Sequence, residues 1–388
     1  MNKALAVLPL ATLAFVPTSF AVEVFKDSKN AFEVGGFVDA RVINTQDVTE
    51  VVNGSSRINF GFTREMSNDW RSYVKLEWGV NPFGSATISY SSESNFETES
   101  GDFLNNRLGY IGVSHADFGS IAIGKQWGAW YDVVYNTNYS FVWDGNASGT
   151  YTYNKSDGAI NGVGRGDKVI QYRNRWGNLG IAAQMQLKSS QTDIEDDGSN
   201  NPNRLVMTEY DNTYGIGLTY QATDMLVITA GANIGEPEAT TASGQMISET
   251  DYIYGMGLTW GSWDEHGWYA AMNVNQNEFH DTDNLGRFLQ EALGLETLIS
   301  YYLGNNVKLL ATYNILAAGD AYEAVHPGDV FKRQFAVAGV HYVWDNSVVL
   351  YLEGRVDFSD FSSANPENEA MQSVSEDDGV AIGIRYTL

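Results

Sequence analysis

In stretch after stretch of this chain, apolar side chains take alternate positions while small, polar or charged ones fill the positions between. "WRSYVKLEW" sets Trp70, Ser72, Val74, Leu76 and Trp78 against Arg71, Tyr73, Lys75 and Glu77. "LGIAAQMQL" opposes Leu179, Ile181, Ala183, Met185 and Leu187 to Gly180, Ala182, Gln184 and Gln186. The closing "GVAIGIRYTL" puts Val380, Ile382, Ile384, Tyr386 and Leu388 on one face and Ala381, Gly383, Arg385 and Thr387 on the other. Period two marks a strand with two unlike faces, and no helical period competes over a comparable length. A slip of one residue would swap the faces, so each such strand has a fixed orientation. The chain reads as all-β.

The pattern predicts strands at 31–43, 55–66, 70–80, 105–114, 118–127, 166–176, 178–188, 210–220, 225–235, 251–261, 267–277, 294–303, 307–317, 332–344, 347–358 and 379–388, sixteen in all. Lengths near ten residues match the ~9–11 that cross a bilayer at a tilt and exceed the ~5–6 usual in soluble sheets. The connections alternate in length. Long ones at 44–54, 81–104, 128–165, 189–209, 236–250, 278–293, 318–331 and 359–378 interleave with short ones such as Ser67-Asn68-Asp69, His115-Ala116-Asp117 and Gly177. A soluble sandwich has no reason to put every long loop at one end. A transmembrane barrel, with long external loops and short periplasmic turns, does. It closes when 379–388 pairs with 31–43, which removes both edges.

Charge follows the same division. The 48 acidic residues outnumber the 23 Lys and Arg, for a net charge of −25. Acids gather in the long connections: Glu93, Glu97, Glu99 and Asp102; Asp193, Glu195, Asp196 and Asp197; Asp360, Glu367, Glu369, Glu376, Asp377 and Asp378. Bases sit mostly inside strands. In a membrane barrel they have to face the lumen, because Arg or Lys against lipid at the midplane costs about 2–4 kcal/mol. The acidic balance argues against nucleic acid as a partner. Lys3, the apolar run 4–16 and the small-x-small Ser19-Phe20-Ala21 form a secretory leader over 1–21, with cleavage expected before Val22 and one barrel domain over 22–388. The chain has no Cys, which excludes disulfides, thiol catalysis and Cys-bound metal.

Over essentially the whole mature chain, the sequence resembles the trimeric general diffusion porins of Gram-negative outer membranes. "NRLGYIGVSHADFGSIAIGKQWGAWYDV" (106–133) has that family's strand, short turn, strand and start of a long third loop. "VGRGDKVIQYRNRWGNLGIAAQ" (163–184) is similar to the exit from that loop, and the last strand is similar to the family's assembly signal, with an aromatic third from the end. It departs by ending in Leu388 where the family usually has Phe. The resemblance implies a sixteen-stranded antiparallel barrel in the outer membrane with its third loop folded inward. It implies a homotrimer among lipid and lipopolysaccharide, passing ions and small hydrophilic solutes without a cofactor. It also implies a constriction wall of Arg57, Arg107 and Arg165 with the acidic Glu77. The family's Pro-Glu-Phe-Gly turn is missing from the loop. "YNTNYSFVWDGNASGTYTYN" replaces it, with Asp144 as the one carboxylate of that stretch and with Tyr135, Tyr139, Phe141, Trp143, Tyr151 and Tyr153.

Other motifs carry little. Arg165-Gly166-Asp167 spells an integrin-type tripeptide at a loop–strand junction, where coincidence explains it. "DIEDDGSNN" lacks the alternating ligands and closing Glu of a calcium loop. His115, His266, His280, His326 and His341 show no zinc spacing, and neither G-x-S-x-G nor a phosphate loop occurs. Three functional classes stay open on the residues alone. The first is a general diffusion porin with a mild cation preference from its acidic mouth. The second is a solute-specific channel for oligosaccharides, since aromatic rings offer sugars apolar faces with polar rims. The third is a surface hydrolase or adhesin.

Overall fold

Each alternating stretch becomes a strand, and each strand hydrogen-bonds antiparallel to its neighbours in sequence. The computed structural model describes residues 21–45, 49–84, 103–153, 158–187, 190–193, 201–345, 347–364 and 378–388. The barrel strands are β1 (Asn30–Thr45), β2 (Thr49–Asn53 and Arg57–Glu65), β3 (Arg71–Val80), β4 (Leu104–His115), β5 (Gly119–Trp127), β6 (Arg165–Trp176), β7 (Leu179–Gln186) and β8 (Thr213–Gln221). They continue as β9 (Leu226–Gly235), β10 (Asp251–Trp260), β11 (Gly267–Glu278), β12 (Ala292–Tyr302), β13 (Val307–Ala318), β14 (Asp329–Asp345), β15 (Val348–Asp357) and β16 (Gly379–Thr387).

The barrel closes where β16 meets β1, from Phe37 opposite Thr387 to Thr45 opposite Gly379. Just beyond, Leu388 N donates to Gly36 O at 3.0 Å, and a short strand, Ala21–Lys26, takes over the same edge of β1, from Ala21 opposite Gly35 to Lys26 opposite Ala31. The sixteenth rung is therefore built from two segments distant in sequence.

The alternation sorts the side chains by face. On β16, Val380, Ile382, Ile384 and Tyr386 point outward; Ile382 is 60% exposed while neighbouring Ala381 is 1% exposed. Inside lie Asp39, Asn59, Gln184, Asn233, Asn273, Glu296, Asn314 and Glu353, all buried. A soluble protein has the opposite order. An apolar exterior around a polar interior is the arrangement of a membrane barrel. Exposed Trp176, Trp260, Trp268 and Trp344 stand at strand ends beside the short turns, as an interfacial aromatic belt requires.

Three expectations change. The predicted long connection 44–54 is a hairpin, because 40–44 pair with 49–53. Alternation simply continues there, with Val51 exposed and Val52 buried. The connections 189–209 and 236–250 are partly structured as well. Ser190–Asp193, Leu205–Tyr210, Pro237–Thr241 and Met246–Ser248 form a separate four-stranded sheet that ties two loops together at the loop end of β7–β10. Tyr210 belongs to that sheet, so β8 starts at Thr213 rather than at 210. The acidic Glu93, Glu97, Glu99, Asp102, Glu195, Asp196, Asp197, Glu367, Glu369, Glu376 and Asp377 lie outside the described residues, as does the leader up to residue 20.

A charge placed on the outward row tests this orientation. Ile382→Arg, in mid-strand opposite Val42 and Leu352, is expected to destabilise the barrel in phospholipid vesicles by about 2–4 kcal/mol. Urea titration reads it, and unchanged stability would count against an outward lipid-facing row.

Candidate functional site: the polar interior and the 128–164 connection

Glu77 brings two of the expected wall arginines together. Its Oε1 accepts from Arg107 Nε at 3.0 Å and lies 3.9 Å from Arg57 Nη1. Arg107 gets there through a bulge. Glu77 pairs with Leu108 and Trp78 with Asn106, which leaves Arg107 as the extra residue on β4. Counted back from exposed Ile111 and Val113, strict alternation would send Arg107 outward. The bulge re-aims it inward, where it is 1% exposed. Arg165 is fully buried, pairs in register with Trp127 and lies over that ring at 5.6 Å. Burial of Arg165 also removes the Arg-Gly-Asp tripeptide from any surface role.

The connection between β5 and β6 opens with a helical turn, α1 (Tyr131–Val134), followed by a tighter turn at Tyr135–Thr137. It runs along the inner wall. Ala129 N donates to Gln184 Oε1 at 2.6 Å, Thr229 Oγ1 to Val133 O at 2.6 Å and Tyr269 Oη to Asn136 O at 2.6 Å, while Asp132 pairs with Arg173. The tip reaches β15, where Phe141 N and Val142 N donate to the two oxygens of Glu353 at 2.7 and 2.9 Å. The chain then doubles back. Ala147 N and Ser148 N both donate to Glu296 Oε1 at 2.8 Å, and Thr137 Oγ1 on the outbound leg donates to Glu296 Oε2 at 2.7 Å. Further on, Asn233 Nδ2 donates to Asn161 O at 3.0 Å and Gln184 Nε2 to Gly162 O at 2.7 Å.

Two wall carboxylates thus grip the connection by its backbone. Hydrogen bonds to a charged acceptor contribute about 1.5–3 kcal/mol each. The wall also makes room. A Cβ on Gly217, Gly257 or Gly294 would stand 2.4, 2.6 or 2.0 Å from the carbonyl oxygens of Ala129, Val133 and Ala147. These wall glycines, on β8, β10 and β12, let the loop backbone lie against the strands.

The named loop residues divide. Trp143, Tyr151 and Tyr153 are buried, Trp143 against Ile43, Phe335 and Tyr351 and Tyr153 against Tyr210 and Phe288. Asp144 is buried too, and its Oδ1 accepts from Gly145 N at 2.8 Å. Tyr139 is half-buried and stacks on Trp263 at 4.4 Å. Burial pushes its hydroxyl up to about 12, so it carries no charge at neutral pH. Phe141, also half-buried, covers Arg385 at 3.6 Å; Arg385 in turn lies over Phe37 at 4.2 Å, and Arg57 lies over Phe37 at 4.6 Å. This alternation of rings and cations crosses the β16–β1 seam. Beneath it, Asp39 accepts from Arg385 Nε at 2.8 Å, Arg41 Nε at 3.3 Å and Tyr351 Oη at 2.6 Å.

Sequence reasoning missed Glu296, Glu353, Arg173 and the wall glycines as partners of the connection. Inward parity was available for the two glutamates, but nothing local says that a distant loop comes to them.

Comparison with known proteins adds family. A family model described as Gram-negative porin matches residues 4–387. Outer membrane porin N of Escherichia coli (strain K12) is 23% identical over 411 residues, covering 99% of each chain. Outer membrane porin PhoE of Enterobacter cloacae is 23% identical, covering 100% of this chain and 99% of that one. Among solved structures, Salmonella typhi OmpF in complex with daunomycin superposes with a TM-score of 0.68 at 16% identity over 95% of this chain and 100% of that one. In-vitro folded OmpT of Vibrio cholerae, in its trimer form, gives 0.62 at 16% identity, covering 93% and 100%. With its closed sixteen-stranded barrel and polar interior, this chain belongs to the Gram-negative porin family and is an outer-membrane channel, not an enzyme.

Proposed function

We propose that this porin passes ions and small hydrophilic solutes by passive diffusion, through a water-filled pore whose width is set by the 128–164 connection. The observation that carries this reading is the grip of Glu353 and Glu296 on the loop backbone from the inner wall. Between that loop and the arginine-bearing wall, half-buried Arg57 bounds the constriction, with Glu77, Arg107 and Arg165 buried behind it. On the loop side it is bounded by half-buried Tyr139 and Phe141, while Trp143, Asp144, Tyr151 and Tyr153 support the loop from behind. A homotrimer embedded in outer-membrane lipid and lipopolysaccharide is the assembly we infer. It is supported by the trimer form of the Vibrio cholerae relative. The leader over 1–21 is removed on export, leaving one domain.

We also infer a mild cation preference. Inside, Arg57 and Arg107 face Glu77, and Arg41 and Arg385 face Asp39. The acidic excess lies instead in the mouth loops of a chain of net charge −25. An acidic mouth concentrates cations before they reach the constriction. A second reading, a channel selective for oligosaccharides, is favoured by one feature. Half-buried Trp127 and Tyr131 stack at 3.9 Å, with Tyr135 6.0 Å further along, as a ribbon of rings. Block of single-channel current by maltose-type sugars at low concentration would select that reading; free passage selects the general pore.

Removing part of 135–153 is expected to raise single-channel conductance. Glu353→Gln, which takes the charge from the acceptor of Phe141 N and Val142 N, is expected to increase open-channel noise with a smaller rise in conductance. Unchanged conductance in the deletion would place the constriction elsewhere.

Reversal potentials in KCl gradients check the cation preference. Screening acts over about 8 Å at physiological salt, so the preference should fade between dilute and molar KCl. Anion preference in dilute KCl would mean that the wall arginines dominate.

A further inference from the structure

A buried relay joins four separate segments at the loop end of the barrel. His280, between β11 and β12, is fully buried. Its Nδ1 faces Asp251 Oδ1 at the start of β10, and its Nε2 faces the carbonyl oxygen of Gly149 at 2.7 Å on the return leg of the connection. Asp251 Oδ2 accepts from Tyr210 Oη at 2.6 Å and Asn161 Nδ2 at 3.1 Å, and Tyr210 Oη shares a hydrogen bond with Tyr153 Oη at 2.7 Å. Both ring nitrogens of His280 therefore face oxygen acceptors. A neutral imidazole has one N–H and satisfies one of them; the imidazolium has two and satisfies both. Gly149 is held with φ +71°, and a Cβ there would stand 2.1 Å from Ile253 Cδ1. Its carbonyl is aimed at the histidine by a backbone that other residues rarely adopt.

We propose that His280, as an imidazolium, is a positioning residue for the pore: it pins the return leg at Gly149, and losing its proton frees that leg. The proposal rests on the reading that the 128–164 connection sets pore width. The charged groups around the ring are Asp251 and, next in the chain, Asp281. Tyr210 and Tyr153 stay neutral because burial pushes their hydroxyls well up. Burial of His280 alone would lower its pKa; the Asp251 carboxylate, the bonds to it and to Gly149, and Asp281 outweigh that and raise it above the ordinary 6.5. A histidine raised on folding lends its full stability below the unfolded value and loses it as pH climbs through the folded one. The pin therefore holds below the raised midpoint and lets go above it.

The test uses the full-length protein. Nitrogen NMR of ¹⁵N-histidine-labelled barrel should find His280 titrating above 6.5 and doubly protonated below its midpoint. Across that midpoint, hydrogen exchange of the 146–153 amides, corrected for intrinsic rate, should accelerate at least about tenfold, the factor that one pKa unit of coupling represents. Single-channel conductance should rise in parallel. His280→Gln, which keeps a donor for Gly149 but cannot titrate, should show neither step. Titration at or below 6.5, or the same steps in His280→Gln, would each overturn the proposal, and the NMR result stands even if the variant folds poorly. If exchange accelerates while conductance stays level, removal of 135–153 decides. A raised conductance there overturns the role of His280 in the pore; an unchanged one overturns the pore-width reading instead.

Discussion

A backbone N–H or C=O that meets hydrocarbon without a partner costs several kcal/mol, and only a closed sheet pairs every one of them between strands. The seam between β16 and β1 therefore governs the whole molecule. Its register, Phe37 against Thr387 through Thr45 against Gly379, decides which face of every strand looks outward. Apolar rows then meet lipid, and polar and charged residues are left to fill the centre. Soluble folds depend on a dry core for cohesion. Here cohesion comes from the strand ladder, and the interior is free to be wet and charged.

That freedom explains how the long connection is held. Its docking face is made of carboxylates, amides and glycines rather than of packed aliphatics. Glu296 and Glu353 each take two backbone N–H groups of the connection, and small residues on three strands give the loop carbonyls clearance. Apolar contacts help at the tip, where Phe141 covers Arg385 and Trp143 fits among Ile43, Phe335 and Tyr351. Such a mount is geometrically specific, since each carboxylate fixes two adjacent peptide planes at once. It also absorbs acidic charge that would otherwise face the lumen.

Period two, the alternation of connection lengths and the in-strand bases were enough to read the architecture, because the bilayer enforces them at every position. Closure of 379–388 on 31–43 followed from the same rule. What escaped were features that break the rule locally or join distant segments. The bulge at Arg107 inverts the faces within one strand, and only the partner strand's register reveals it. The hairpin over 44–54 was hidden because Asn44 and Thr45 look like loop residues, although the valines beyond continue the pattern. The sheet that joins Leu205–Tyr210 to Pro237–Thr241 links segments from two loops and has no signature in either. The wall residues Arg57, Glu77 and Arg107 were legible as a group only through family likeness, and Glu296 and Glu353 were missed, because nothing near them in sequence points to a distant loop.

The composite sixteenth rung bears on how the molecule comes together. Arg385 and Asp39, joined across the seam, are 346 residues apart in sequence. No contact of that span can form early, because the loop-closure entropy has to be met before it is rewarded. Until then the Phe37–Thr45 stretch of β1 is an open edge beside the local hairpin that Ala21–Lys26 makes with residues 31–35, and an open edge is a template for any passing strand. Closure is therefore a late event in which Gly379–Thr387 arrives beside Phe37–Thr45, end to end with a hairpin strand that is already in place. A chaperone or insertion machine serving this chain has that stretch of β1 and the other edge of the growing sheet to guard, and its hold has to last until Gly379–Thr387 is delivered.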